Sequence, residues 1–588
     1  MSARTNSLCL LLLLAAPVVV RAAPDTQTPP QRRIPGRPER QQQPPARQPD
    51  PNGRTGLQRV SPPPPDARYP IVPTPERRRL PQQAGLVTAH WYDPYHQNRY
   101  KGDLPLYGDH YLSLSFTSDS LAEARRLPTP VGPQATNGPA RLDVLGQGRQ
   151  TLFDQRVSAG AVFYAGDTVF MPPHYALRFK AVADYNVTRA REARVVDINP
   201  QEGTFRRDEH LGVQELSFEK HLRDVSPRYD FDAMTVGIQP VTADFRGFLF
   251  LDEPFGVRFF GTRNNNVYQY SAGWFRRLEK DTNSGLNDLS RRPREEDILL
   301  ANLFWQDMPV RGFTTEFVLA HDRNRESGRD HYNDNGFLVR PAPLGLDNSR
   351  DYQVTYLGLG GDGHFGRYNL TAMAYGAWGR QTHGVFVDGS TDIRAAFVAA
   401  EASMDFDWTR WRLSAAYASG DRNPWDRRET GFDAINENPL FAGSATSFWI
   451  RQAVPLIGGG AVELSGRNGM LNSLRSSKEE GQANFTNPGL RLVGLGNDTD
   501  LTPQWRVSTN LNHLWFDETS VLEAARNQGS IHRDIGWDLS VSAIWRPFFT
   551  QNVIVRGSVA GLQPGQGYRD LFGGERGYSA LLQLTLTY

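Results

Sequence analysis

The segment Gly361-Asp362-Gly363-His364-Phe365-Gly366 has the GxGxxG spacing of a pyrophosphate-binding loop. Such a loop works only between a strand and a helix N-terminus, where backbone amides and the helix dipole meet the phosphates. Here a second alternating segment follows at once, so these glycines are expected to fill a short turn between strands. The 12 histidines are scattered, no HExxH occurs, and Cys9 is the single cysteine. No zinc site or thiolate chemistry follows from that set. Two acidic stretches, Tyr332-Asn333-Asp334-Asn335-Gly336 and Asn497-Asp498-Thr499-Asp500, have cation-binding residue types. Neither is followed by the bidentate glutamate of an EF-hand loop, and polar turn chemistry is expected at both. A hydrolase at the outer rim would need Ser, His and an orienting Asn or Asp. His513 and His532 are available. There is no strained GxSxG elbow, and His513 falls on the apolar face of its segment. No catalytic residue, metal or cofactor is expected, and the chain does not read as an enzyme.

The charged residues have a more regular phase. Arg178, Lys180, Glu215, Glu219, Arg258, Arg277, Glu316, Arg367, Glu401, Arg412, Arg506 and Arg556 each alternate with apolar neighbours. An Arg or Lys facing hydrocarbon at the bilayer midplane costs about 2–4 kcal/mol, so such residues belong on the wall of a water-filled lumen. Arg and Lys outnumber Glu in this set. A mild excess of fixed cations would concentrate anions and slow cations.

The elements that would position them are strands. The final twelve residues, GYSALLQLTLTY, place Tyr578, Ala580, Leu582, Leu584, Leu586 and Tyr588 on one face. Ser579, Gln583, Thr585 and Thr587 occupy the other. Ten residues at about 3.3 Å each and a tilt near 40° put the two tyrosines roughly 25 Å apart along a barrel axis. That is the height of the apolar band of an outer-membrane barrel. Trp505 with Trp515, and Trp537 with Trp545, repeat the pattern of an aromatic at each rim. Alternating segments run from Ala176–Val187 to Val553–Val559 with no helical period of comparable strength. No run reaches the eighteen or so apolar residues of a membrane helix.

Connections alternate short and long. Short turns are expected at Met171–Ala176, Leu222–Tyr229, Gly261–Asn266, Gln306–Gly312, Leu359–Phe365, Asp405–Thr409 and Arg546–Asn552. Long loops are expected at Ser118–Gly160, Thr188–His210, Leu278–Asp297, His321–Asp351, Phe516–Ile535 and Gly561–Gly577. The parity from the two ends disagrees unless Ser419–Pro503 hides an odd number of strands. One, near Ser447–Val454 or Gly489–Gly494, gives an all-β, large antiparallel transmembrane β-barrel of eighteen strands, within a range of 16–20.

Residues 1–22 read as a signal peptide: Arg4, an apolar run Leu8–Val20, and small residues at Val20-Arg21-Ala22. Residues 23–85, rich in Pro, Arg and Gln, read as a disordered periplasmic segment able to reach peptidoglycan or periplasmic proteins. Residues 86–588 form the barrel. The bacterial outer membrane is its expected location and the lipid bilayer its surroundings. The aromatic final strand is the expected signal to the barrel-assembly machinery, and no nucleic acid partner is expected.

The stretch Ala418-Ser419-Gly420-Asp421-Arg422-Asn423-Pro424-Trp425-Asp426, followed by Gly431-Phe432-Asp433, resembles the ASGD-x-(N/D)-P-x-D…F signature of the alginate-export family of outer-membrane barrels. The resemblance implies an eighteen-stranded barrel passing a polyanionic polysaccharide or small anionic solutes through an arginine-lined constriction. The Pro/Arg-rich arm and the long segment Phe441–Gly496 depart from that pattern. The expected function is therefore a porin-like channel for anionic or carbohydrate-type solutes. A closed structural or adhesive barrel is the rival, and an outer-membrane lipid hydrolase a third reading.

Overall fold

A computed structural model describes residues 98–129, 148–166, 172–228, 230–452, 454–456, 467–548 and 551–588. The leader, the Pro/Arg-rich arm and residues 86–97 of the expected barrel lie outside them. Eighteen antiparallel strands form one closed sheet. In chain order they are β1 His110–Arg126, β2 Arg149–Ala165, β3 Tyr175–Arg189, β4 Phe205–Asp224, β5 Phe231–Ile238 and β6 Phe255–Arg263. Next come β7 Tyr268–Arg276, β8 Glu296–Gln306, β9 Phe313–Arg325, β10 Asp351–Phe365, β11 Tyr368–Gln381 and β12 Thr391–Phe406. The last six are β13 Thr409–Ala418, β14 Leu490–Thr502, β15 Trp505–Trp515, β16 Asp534–Trp545, β17 Val553–Pro564 and β18 Gly577–Thr587. Every strand pairs with its neighbour in sequence, and β18 closes on β1 from Thr117↔Thr587 to Arg126↔Tyr578. Arg428–Glu429 adds a two-residue strand parallel to β12. The count of eighteen agrees with the parity, and the hidden strand is β14, at Leu490–Thr502. The other candidate for it, Ser447–Val454, instead contains a short helix, α1 Phe448–Gln452.

Alternation decides which way each face points. On β16 the side chains of Trp537, Leu539 and Val541 are exposed, while Asp538, Ser540 and Ser542 between them are buried. Here the exposed face is apolar and the buried face polar, the reverse of a soluble sheet and the pattern of a wall that meets lipid outside. Large apolar residues recur outward around the ring, among them Phe179, Leu216, Phe259, Leu303, Leu319, Leu357, Val398, Val493 and Leu582.

Two boundaries move furthest relative to the sequence reading. Leu359–Phe365 is not a turn: β10 runs through Phe365, and only Gly366 (φ 65°) and Arg367 turn the chain. Gly361 and Gly363 are interior strand positions, where any Cβ would sit within 2.3 and 2.5 Å of the Phe313 ring. Those glycines make room for an aromatic lying across the sheet, which is why they are spaced like a nucleotide loop without being one. The expected loop Ser118–Gly160 is also shorter, because β1 and β2 pair from Tyr111↔Tyr164 to Arg126↔Arg149. Ser, Ala and Thr dilute their alternation and hide it from a periodicity test.

At the short-turn end β1 outruns β18. Phe116 and Tyr588 exchange backbone bonds of 3.1 and 2.8 Å, and below them the Leu114 amide donates to the Tyr100 carbonyl at 2.7 Å. Residues 98–101 thus continue the lane of β18 past its end. The Asn98 side-chain amide Nδ2 donates to the Tyr588 hydroxyl at 3.0 Å, and the Lys101 ammonium lies 4.3 Å above the Tyr588 ring. Burial pushes Lys101 down to about 8, with Asp103 opposing the shift.

Candidate functional site

The lumen is where polar side chains converge, and two connections fold into it. Residues 239–254 join β5 to β6, and residues 419–489 join β13 to β14. They pair with each other: the Ile435 amide donates to the Leu249 carbonyl at 3.1 Å, and that of Leu251 to Asn436 at 3.0 Å. Phe248, Phe250, Phe432, Phe441 and Phe485 from these segments bury against Tyr356, Met373, Tyr375 and Phe397 of the inner wall. Phe397 and Phe432 stack at 5.2 Å. The result is a hydrophobic core inside the barrel, filling the long-loop half against β8–β16.

Irregular backbone in such a place needs partners for its amides and carbonyls. The inward polar residues of the strands supply them. Glu316 accepts from the Phe245 amide at 3.3 Å, and Asn302 donates to the Ala243 carbonyl at 2.6 Å. Tyr375 donates to Asp244 at 2.9 Å. Glu401 accepts from the Ala442 amide at 3.2 Å, while Asn512 donates to its carbonyl at 2.9 Å. From the connection between β7 and β8, Arg277 and Arg294 both donate to the Glu479 carbonyl at 3.2 Å. Asp538 accepts from the amides of Phe448 at 3.1 Å and Trp449 at 2.9 Å, capping α1. Just beyond β9, Glu326 is held at about 2: burial works against ionisation, but Arg294 and Arg340 outweigh it.

The opposite wall is left open. Along β1–β4, Leu121, Leu152, Asp154, Arg156, Arg206 and Asp208 keep partial exposure through the level that is packed elsewhere. The connection between β7 and β8 narrows this side. Arg156 donates to the Ser284 carbonyl at 2.8 Å, and His210 meets the Asn287 carbonyl at 3.1 Å. Arg156 also pairs with Asp184 at 2.9 Å and Asp154 at 3.2 Å. The helix α1 borders the same side through Arg451 and Gln452, which bond Glu123 of β1 at 3.0 and 2.6 Å. Below this level lie the inward side chains of the short-turn half, Arg178, Glu219, Arg412 and Asp498 among them.

The sequence-derived residues divide accordingly. Arg178 pairs with Glu219 at 3.0 Å, Arg412 with Asp498 at 2.8 Å, and Arg506 with Asp500 at 2.7 Å, all on inward faces of the short-turn half. Lys180 is exposed there, and Glu215, Arg258 and Arg556 are half-buried. Glu316 and Glu401 are buried anchors of the inserted segments. Arg277 lies just beyond β7, fully buried between Asp252 and Glu296. Arg367 occupies the exposed β10–β11 turn with its guanidinium 6.0 Å from the Phe406 ring. The stretch Asn497–Asp500, expected as a turn, is part of β14, because its aspartates pair with inward arginines of the flanking strands. Tyr332–Gly336 does turn: Asn333 accepts from the Asn335 and Phe337 amides, and Asp334 pairs with Arg291. Sequence reasoning missed Arg156, Asp184, His210 and the inserted segments. Tyr352, Val354 and Tyr356 alternating with Leu357 and Leu359 carried a signal for the latter, since a strand apolar on both faces must bury both.

The rim aromatics stand in two rows. Trp505 and Trp545 stack at 5.5 Å beside the short turns. Trp515 and Trp537 flank His513, at 3.9 and 4.2 Å, beside the long loops. Tyr578 is exposed at the long-loop row, and Tyr588 lies at the seam. His513 bonds Asp534 at 2.9 Å on the outer face, away from the lumen. The 418–426 motif builds the root of the inserted segment: the Gly420 amide donates to Asp517, and Asp421 accepts from Thr430 at 3.1 Å. Burial, with Glu429 close by, pushes Asp421 up to about 7.

No family model and no curated protein matches this chain. Solved structures similar to it include Pseudomonas aeruginosa OccK9 (OpdG), at 12% identity and a TM-score of 0.46 over 81% of this chain and 98% of that one. Pseudomonas aeruginosa OccK2 (OpdF) in complex with glucuronate matches at 12% identity and 0.43, covering 81% and 97%. A BenF-like porin from Pseudomonas fluorescens Pf-5 matches at 10% and 0.43, covering 81% and 98%.

Proposed function

We propose that this chain is an outer-membrane diffusion channel for small anionic or carbohydrate-type solutes. The observation that carries the reading is the one-sided filling of the lumen. Inserted segments pack against β8–β16, while Asp154, Arg156, Arg206 and Asp208 of β2–β4 keep partial exposure. The apolar outer face and its two aromatic rows suit a bilayer. In the short-turn half, alternating guanidinium and carboxylate groups offer donors and acceptors to sugar hydroxyls. Lys180, exposed and without an ion pair among the described residues, adds positive charge. Anions are concentrated by such a wall, and the narrowing beside Arg156 sets the size limit.

The same reading takes residues 1–22 as an export leader and 23–85 as a periplasmic tether. The final strand, which closes the ring, would be the segment recognised during assembly. The resemblance to alginate exporters adds a polyanionic chain as a candidate cargo.

Planar-bilayer recording tests the proposal. Discrete conductance steps with a reversal potential favouring anions in a salt gradient are expected. A silent bilayer favours the closed scaffold, for which the packed interior is the supporting observation. Preferential cation passage would refute the charge assignment, and block by alginate oligomers at micromolar levels would single out the polysaccharide.

A further inference from the structure

The outer wall carries a groove that the channel reading leaves unused. It lies over β12–β15 beside the long loops and encloses about 520 Å³. Ala400 and Ala415 form its floor, recessed between Val398 and Val493. Trp515, Arg491 and Arg533 close its upper end. Val398, Tyr417, Arg491 and Trp515 are register partners across four neighbouring strands, with Arg491 directly beside Trp515. Trp515 is ten residues above Trp505 on the same strand, roughly 25 Å along the axis. Trp515 and its register partner Arg491 therefore sit where hydrocarbon gives way to headgroups, with the floor of the groove below them among acyl chains.

Two arginines at this level face outward over an apolar depression. Arg491 pairs with Asp517 at 2.6 Å and Arg533 with Glu518 at 2.5 Å, yet their side chains stay 49% and 48% exposed. Arg394, farther up β12, is exposed too and makes no ion pair among the described residues. A guanidinium at headgroup depth, half open and joined to an apolar slot, complements a phosphate bonded to an acyl chain. We propose that this groove binds a phosphorylated lipid of the outer leaflet, its phosphate against Arg491 and Arg533 and one acyl chain over Ala400 and Ala415. The site rests on the membrane-spanning reading of the barrel and is independent of what the lumen carries.

The test uses the full chain purified in detergent, with lipid A carrying two phosphates as the probe and phosphatidylcholine of similar chain length as the comparison. Bound lipid is read by native mass spectrometry and by quenching of tryptophan emission. Wild type is expected to retain lipid A and not phosphatidylcholine. The double variant R491Q/R533Q is expected to bind about tenfold more weakly or worse, as for loss of charge-assisted bonds at a half-exposed site. A415F, which fills the floor without touching a charge, is expected to weaken binding likewise. R311Q/R367Q, at exposed short turns, is expected to bind as wild type does. Unchanged binding in both groove variants, or equal retention of phosphatidylcholine, overturns the site. A wild type with no heat-modifiable gel migration overturns the membrane reading beneath it.

Discussion

Asp538 offers the sharpest handle on the packed interior. Its carboxylate is buried, and it is the acceptor for the Phe448 and Trp449 amides and the Ser447 hydroxyl at the start of α1. Asp538→Ala leaves three donors without an acceptor in a dry place, at about 1–3 kcal/mol each. Taking the low end for all three gives about 3 kcal/mol, or about a hundredfold more frequent detachment of α1 from the wall. Because α1 also holds Glu123 of β1 through Arg451 and Gln452, detachment widens the open side of the lumen. Single-channel recording should show noisier, larger conductance, and hydrogen exchange should accelerate at residues 447–452. Asp538→Asn, which keeps one acceptor oxygen, should fall between. Conductance, noise and exchange all equal to wild type would refute the anchoring role of the strand carboxylates.

Three further outcomes follow from other parts of the wall. Lys180→Glu should move the reversal potential toward cation preference with little change in thermal stability, measured in the same bilayer. The carboxyl of Asp421 is raised to about 7 from an ordinary 3.8, so it favours the folded loop most fully below about pH 4 and progressively less as pH rises to about 7. Amide exchange near residues 419–430 should therefore quicken over that window, and Asp421→Asn should flatten the dependence. Lys101 is lowered to about 8 from 10.5, so its charged form opposes folding in full below about pH 8, and the opposition fades toward pH 10.5. Thermal unfolding on a heat-modifiable gel should then shift upward between those values, and Lys101→Met should remove the slope.

The ring was legible because period-two alternation records a wall with lipid on one side and water on the other. GYSALLQLTLTY, Trp505–Trp515 and Trp537–Trp545 carry it plainly, and the alternation of turn lengths is enough to demand an odd number of strands within Ser419–Pro503, without choosing between Ser447–Val454 and Gly489–Gly494 for the one that is found at Leu490–Thr502. The inward phase of Arg178, Arg412 and Arg506 could be read from the same alternation. Their partners could not, since Asp498 and Asp500 resembled a turn until β14 placed them beside arginines of two different strands. The filled interior was harder still. Contacts such as Glu316 to Phe245 and Arg277 to Glu479 join residues 71 and 202 positions apart. No local period encodes them.

The meeting of Tyr588 with Asn98 and Lys101 has a consequence for assembly. A sheet that ends on a longer strand presents bare amides and carbonyls to any passing chain, an invitation to pair with the wrong neighbour. Residues 98–101 take up that lane, so the first strand is shielded by its own leading segment and the last strand stops against it. Neither end of the chain can make the seam alone. Zipping from Thr117↔Thr587 can begin only when residues nearly five hundred positions apart are both in place, so of all pairings in the ring this junction has the greatest entropic barrier and should be the last to lock.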